Sequence, residues 1–109
     1  MNASGDQLNL HGVWMGNTNS DFVQAFAGVT RLNGCTLFGS GGNAVGIHIK
    51  SGGQAVTCGG AHFKYLAYCF KFDAGNGGAL VSSDTMIDST NSNVTAGTAN
   101  FLPATHLSS

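Results

Sequence analysis

Two short segments of the chain alternate between apolar and polar residues. They are GIHIK (46–50) and CFKFD (69–73). An alternation of period two predicts a β-strand with one dry face. The residues predicted to point into a core are Ile47, Ile49, Phe70 and Phe72, and those predicted to point outward are His48, Lys50 and Lys71.

The same pattern recurs about every two dozen residues. A first strand of each unit aligns Leu8, Leu32, Cys58 and Val81, and further along it aligns Val13, Leu37, Phe63 and Met86. A second strand aligns Val23, Ile47, Phe70 and Val94, and then Ala25, Ile49, Phe72 and Ala96. The first pair of columns advances by 24, 26 and 23 residues, and the second by 24, 23 and 24. Inward residues that recur at such spacing predict an all-β fold, a right-handed parallel β-helix (solenoid) of about four coils.

Segments rich in glycine and asparagine separate the strands, for example GSGGN (39–43) and AGNGG (74–78). Both residues tolerate the positive φ that the corners of a tight coil require. A β-sandwich or another all-β domain would also have short alternating strands, but it does not need like residues at a fixed chain distance. We expect residues 1–7 to lead into the fold, 8–96 to form the coils, and 97–109 to form a cap or begin a further coil.

The composition removes several classes of function. Only 8% of the residues are charged and the net charge is −1, with the four Lys and Arg residues scattered singly, so no basic surface is predicted for nucleic acid. No apolar run reaches the ~18 residues of a membrane-spanning helix, and the N-terminus lacks the layout of a signal peptide, so we expect neither membrane insertion nor export. The alternative is that the chain is a fragment of a longer one. Three cysteines without CxxC spacing predict buried thiols rather than a zinc site, and we expect no cofactor.

Large aromatic residues are predicted on the outer side of the first strand, where a solvated coil would carry polar residues. They are Trp14, Phe38 and Tyr65. An apolar stripe on the outside of a solenoid indicates contact with another chain or, because Trp and Tyr are included, with a sugar. The remaining alternative is that these aromatics are covered or incidental.

The inward position just before Val13 and its equivalents is predicted to hold His11, Cys35, Ala61 and Asp84. Polar groups fall only on the outer coils, where water or a cap could satisfy them, and a functional site is the alternative. A stack of a few coils leaves an open strand edge at each end. Further coils, a cap or other subunits must cover these edges.

Two segments carry a resemblance to a known family, LNGCTLFGSGGNAVGIHIKSGG (32–53) and YCFKFDAGNGGALVSSDTMID (68–88). They resemble rungs of the pectate-lyase-like right-handed β-helix in bacteriophage tailspikes and tail fibres, and the resemblance extends over residues 8–96. It implies a homotrimer in the tail of a virion, made in the host cytoplasm without a signal peptide. It also implies contact with bacterial surface polysaccharide, which many members of the family cleave.

Cleavage of a glycoside normally requires two carboxylates. The chain has no Glu, and its candidates for such a pair are Asp73, Asp84 and Asp88. Asp is also common in turns, and a role in the corners of the coil is the alternative for these residues. His48 and His62 alternate with inward residues and are interpreted as exposed. We therefore expect a non-enzymatic structural or receptor-binding segment of a phage tail fibre or tailspike, with a fragment of a polysaccharide-degrading hydrolase or lyase as the alternative.

Overall fold

The chain folds into short β-strands in a computed structural model that describes residues 2–3, 7–16, 21–26, 28–39, 44–87, 93–97 and 100–101. The strands are β1 (Asn2–Ala3), β2 (Gln7–His11), β3 (Trp14–Gly16), β4 (Asp21–Ala25), β5 (Gly28–Asn33), β6 (Thr36–Phe38), β7 (Val45–Ile49), β8 (Gly53–Cys58), β9 (His62–Lys64), β10 (Tyr68–Phe72), β11 (Ala79–Val81), β12 (Met86–Ile87) and β13 (Asn93–Gly97). No helix occurs in these ranges, and therefore none that is long and apolar enough to cross a membrane.

The strands form three parallel sheets. The first has the order β1-β4-β7-β10-β13, the second β2-β5-β8-β11, and the third β3-β6-β9-β12. Every third strand in the sequence is thus a neighbour in space, which defines a solenoid with three strands in each turn. The predicted all-β parallel solenoid is confirmed. It has about three turns, slightly fewer than the four coils expected, and the outer strands β1 and β12 are only two residues long.

Each turn contains three strands, whereas two strands in each turn were predicted from the sequence. The segment aligned as the first strand, such as LNLHGVWMG (8–16), contains the end of β2, a corner and β3. Gly12, Gly34 and Gly59 occupy this corner in successive turns with φ of 61°, 66° and 66°. L-residues rarely adopt this conformation, so glycine lets the chain turn from the second sheet into the third.

The missed corner shifted part of the predicted register. Leu32 and Val81 do share a column, but its other members are Leu10 and Thr57 rather than Leu8 and Cys58. In the third sheet the column of Leu37 and Phe63 is completed by Met15 and Ile87 rather than Val13 and Met86. In the first sheet, Val23, Ile47 and Phe70 align as predicted, as do Ala25, Ile49 and Phe72. The last members of these two columns are Thr95 and Gly97, one residue beyond the predicted Val94 and Ala96.

The inward columns form the core, as predicted for the first sheet. Ile47, Ile49 and Phe70 are completely buried, and Phe72 is 5% exposed. Edge-to-face contacts between rings also link different sheets across the core. The ring centroids of Phe63 in the third sheet and Phe70 in the first sheet are 5.2 Å apart. Phe101 contacts the rings of Phe70 and Phe72 at 5.8 and 5.4 Å and forms a parallel bridge with Ala79, next to β11. Residues 102–109 lie outside the described ranges.

The expected polar residues of the inward column are not in it. His11 and Asp84 are exposed, whereas Cys35 and Ala61 are completely buried as predicted. The backbone bonds from Thr36 to Val13 and from Met86 to Ala61 place Val13 and Thr85 in this column instead. Thr85 is buried and its hydroxyl lies 3.1 Å from that of Thr57, so a side-chain hydrogen bond satisfies the polar group at this end of the column.

Among the described residues, the buried hydroxyl Oγ1 of Thr30 has no hydrogen-bond partner. Valine has nearly the same shape, and removing a desolvated, unpaired hydroxyl avoids a cost of about 1–3 kcal/mol. We expect Thr30→Val to raise the free energy of unfolding by about 1 kcal/mol, measured by urea denaturation. Thr57→Val is the matched control, and it should be destabilising because it removes the Thr57–Thr85 bond. Equal effects of the two substitutions would contradict this account of Thr30.

Candidate functional site

Three aromatic side chains lie next to one another across successive turns on the outside of the third sheet. Trp14 begins β3, Phe38 ends β6 and Tyr65 directly follows β9. The ring centroids of Trp14 and Phe38 are 6.4 Å apart with planes 24° from parallel, and those of Phe38 and Tyr65 are 5.1 Å apart and edge-on. These three residues, called the aromatic stripe below, therefore form one continuous surface.

The indole of Trp14 lies over the backbone of Gly16. A Cβ on Gly16 would fall 2.7 Å from Cζ3 of the indole, so only glycine leaves room for the ring there. Trp14 is nevertheless 62% exposed. One face of the indole thus rests on the strand while much of its surface is open to solvent, which is the arrangement of a flat platform.

Tyr65 has a φ of 57°, and it is the single non-glycine residue with positive φ in the described part of the chain. This conformation is uncommon for a bulky residue and requires support from the surrounding structure. A backbone hydrogen bond of 2.9 Å from Gly39 to the carbonyl of Lys64 supplies such support. The left-handed turn redirects the chain at the end of β9 and brings the Tyr65 ring against Phe38.

The ammonium of Lys64 lies beside the aromatic stripe. Its Nζ is 5.8 Å from the ring centroid of Phe38 and 5.2 Å from that of Tyr65. A cation within about 6 Å of a ring is attracted by the negative face of the π system. The two contacts hold a positive charge at this end of the stripe.

A cluster of polar side chains extends across three turns of the first sheet, and we call it the Asp–His–Asp array. Nδ1 of His48 lies 2.7 Å from Oδ2 of Asp21, and Nε2 lies 2.8 Å from Oδ1 of Asp73. His48 points away from the core, as predicted from Ile47 and Ile49 on either side of it. The interpretation that it is exposed was wrong, because it is only 7% accessible. Two carboxylates from the adjacent turns compensate for its burial.

Both carboxylates of the array have lowered pKa values. Partial burial raises the pKa of Asp21, but hydrogen bonds from Gln24 and His48 outweigh this and hold it below its usual value of 3.8. The hydrogen bond with His48 lowers the pKa of Asp73 against a smaller opposing effect of burial. Ionised carboxylates only accept hydrogen bonds, so a ring nitrogen of His48 that carries a hydrogen donates to the carboxylate it faces.

Asp73 also lines an open cleft of about 630 Å³, together with Asn76 and Asn100. The amide of Asn76 donates to the Asp73 carbonyl at 2.7 Å and accepts from the Gly78 backbone at 2.9 Å, so this side chain shapes the corner after β10. The Asp73 side chain is 37% exposed. A polar ligand could therefore reach the carboxylate from the cleft.

The three candidate catalytic residues are placed differently. Asp73 follows β10, whereas Asp84 lies in the corner between β11 and β12, is exposed and accepts a hydrogen bond from Ser82. Asp73 and Asp84 thus occupy different corners of one turn. Asp88 lies outside the described residues. The carboxylate that shares His48 with Asp73 is Asp21, which was not among the candidates predicted from the sequence.

Within the described ranges, no three His, Cys, Asp or Glu side chains are placed to bind a metal ion. Of the three cysteines, Cys35 and Cys69 are buried and Cys58 is half-buried. The Sγ of Cys35 donates to the carbonyl of Leu10 at 3.3 Å, in agreement with a packed thiol. The chain matches no protein-family model, and neither a curated protein nor a solved structure shows significant similarity to it.

Proposed function

We propose that this chain is a non-enzymatic, receptor-binding segment of a bacteriophage tail fibre or tailspike. In this proposal the aromatic stripe binds bacterial surface polysaccharide, and the solenoid belongs to the virion. The observation that carries the proposal is the indole of Trp14, which is supported by Gly16 on one side and is 62% exposed. The parallel solenoid and the resemblance of its rungs to those of tailspikes favour the same function.

A fixed, exposed ring suits a sugar because one face of a pyranose ring carries only C–H groups. These groups stack on an aromatic face, while the hydroxyls at the rim remain hydrated. Phe38 and Tyr65 continue the surface across the next two turns, so a stripe of rings could contact successive sugar residues of a polymer. A linear polysaccharide is therefore the occupant that we assign to the stripe.

We also propose that the segment is a homotrimer, as the resemblance implies. The aromatic stripe is a poor candidate for the subunit interface because its neighbours in the third sheet include Thr36, His62 and Lys64. Stable subunit interfaces bury larger and more continuous apolar areas. The mass in solution tests the assembly, and a change of mass on substitution of Trp14 would assign the stripe to subunit packing instead.

Binding to a panel of purified bacterial O-antigen and capsular polysaccharides tests the function. We expect Trp14→Ala to weaken binding by about five- to tenfold, because a lost ring contact of about 1–1.5 kcal/mol corresponds to roughly that factor. Gly16→Ala should also weaken binding, although it retains the indole, because the added Cβ displaces the ring from its support. Isothermal titration calorimetry measures both variants.

The matched control is Met86→Ala, an exposed apolar residue in the last strand of the same sheet and outside the stripe. It should leave binding unchanged. Equal losses in all three variants, or no binding to any polysaccharide of the panel, would contradict the proposal.

The rival function, a fragment of a polysaccharide-degrading enzyme, rests on the Asp–His–Asp array beside the cleft. The array supplies two carboxylates, which cleavage of a glycoside normally requires, and Asp73 lines the cleft. Release of reducing ends or of unsaturated sugars from the same polysaccharides tests it. Sustained turnover that is abolished by Asp73→Asn would show that the chain is an enzyme and overturn the non-enzymatic proposal. Absence of turnover with retained binding would support the non-enzymatic proposal.

A further inference from the structure

We infer that the polysaccharide bound by the aromatic stripe is anionic, with a carboxylate or another acidic group that pairs with Lys64. This inference rests on the proposed function and specifies its ligand. The charge of the whole chain does not predict it, because the net charge is −1. The position of one ammonium group does.

Lys64 is held at the stripe by rings rather than by a carboxylate. Its Nζ lies within 6 Å of the ring centroids of both Phe38 and Tyr65, and no ion pair is formed with it in the described part of the chain. A cation–π contact attracts the ammonium without neutralising its charge. Lys64 therefore keeps its positive charge for a ligand at the surface that the rings define.

The acidic residues that the structure describes lie elsewhere. Asp21 and Asp73 contact His48 in the first sheet, and Asp84 precedes β12, whereas Lys64 ends β9. In the third sheet, Phe38 is in register with Lys64, and His62 lies two residues before Lys64 on the same strand. Neither side chain carries a negative charge. Among the residues that the structure describes, an acidic sugar stacked on the stripe would thus meet a cation and no opposing carboxylate.

The two contacts are also compatible in space. The acidic group of a uronic acid lies at the rim of its sugar ring, while the C–H face is free to stack. A sugar over Phe38 could place this rim group toward Nζ of Lys64, which projects beside the same ring. Stacking would then select for a sugar, and Lys64 would select for its charge.

The test uses one polysaccharide in two forms, a uronic-acid-containing capsular polysaccharide and the same polymer after chemical reduction of its carboxyl groups. We expect the acidic form to bind about fivefold more tightly than the reduced form at low salt. Lys64→Gln should remove this difference, so that the acidic form binds no more tightly than the reduced form. Lys64→Arg should retain it, and increasing salt should weaken it.

Lys71→Gln is the matched control, because it removes a lysine from the first sheet and should leave the preference intact. Equal binding of both forms, with Trp14 still required, would overturn the inference while the proposed function stands. The same holds if Lys64→Gln lowers binding of both forms equally. Binding of neither form, nor of any other polysaccharide, would overturn the proposed function and the inference with it.

Discussion

Replacing Ile49 with aspartate should unfold the protein. Ile49 is completely buried in the middle of the first sheet, in register with Ala25 and Phe72. A carboxylate at this position loses its hydration and gains no partner, and the substitution also removes a large apolar side chain from the core. The expected cost of several kcal/mol is comparable with the whole stability of a domain of this size.

The measurement is a thermal melt followed by circular dichroism, in which the variant should show no cooperative transition. Phe72→Asp should have the same effect. Val56→Asp is the matched control: Val56 lies in a strand of equal regularity but is half-exposed and in register with Arg31, so its aspartate can remain solvated. A cooperative melt of Ile49→Asp would show that this column does not face the core.

Replacing His48 with alanine should lower the free energy of unfolding by about 2 kcal/mol. The substitution removes two hydrogen bonds to charged groups, each of which typically contributes about 1.5–3 kcal/mol. The sum is discounted because the Asp73 side chain is 37% exposed and regains hydration. For a domain of this size the melting temperature should fall by roughly 10 °C.

His62→Ala is the control for this prediction. His62 also points outward from a strand, but it is half-exposed, and its loss should change stability by less than about 0.5 kcal/mol. An equally small effect of His48→Ala is what the sequence-based interpretation of His48 as exposed would predict. Equal effects of the two substitutions would contradict the prediction for His48→Ala.

The stability that the Asp–His–Asp array contributes should depend on pH in the acidic range. The pKa values of Asp21 and Asp73 are lower in the folded chain than the ordinary 3.8, so folding favours their ionised forms. The contribution is then fully present above about pH 4 and is lost as the pH falls through the lower, folded-state values. The difference in stability between the wild type and His48→Ala should shrink below pH 4, as measured by urea denaturation.

The sequence was sufficient to predict the solenoid because the inward columns of the first sheet follow a simple rule. Ile47, Ile49, Phe70 and Phe72 alternate with polar residues, and the same positions recur one turn later. The strands of the second and third sheets were predicted as one strand in each turn. Strands such as Thr36–Phe38 are only three residues long, and a single glycine with positive φ is all that marks the corner before them. Period-two alternation cannot show a bend within so short a segment.

The candidate site was predicted only in part, because alternation gives the direction of a side chain and not its contacts. The outward positions of Trp14 and Phe38 follow from alternation, but the packing of the indole on Gly16 requires coordinates. In the Asp–His–Asp array, Asp21 lies 27 positions before His48 and Asp73 lies 25 positions after it, so no local sequence pattern relates them. The polar residue of an alternating strand is normally solvated, and only the neighbouring turns reveal that His48 is not.

The array also restricts how the turns can stack. A strand that slips by two residues keeps its apolar side chains on the core face, so hydrophobic alternation alone does not exclude this error. Such a slip would move Asp21 or Asp73 by about 7 Å along the strand, beyond the reach of the His48 ring. The array therefore penalises shifted pairings of β4, β7 and β10 that the core would tolerate, and it contributes to the choice of one alignment as well as to its stability.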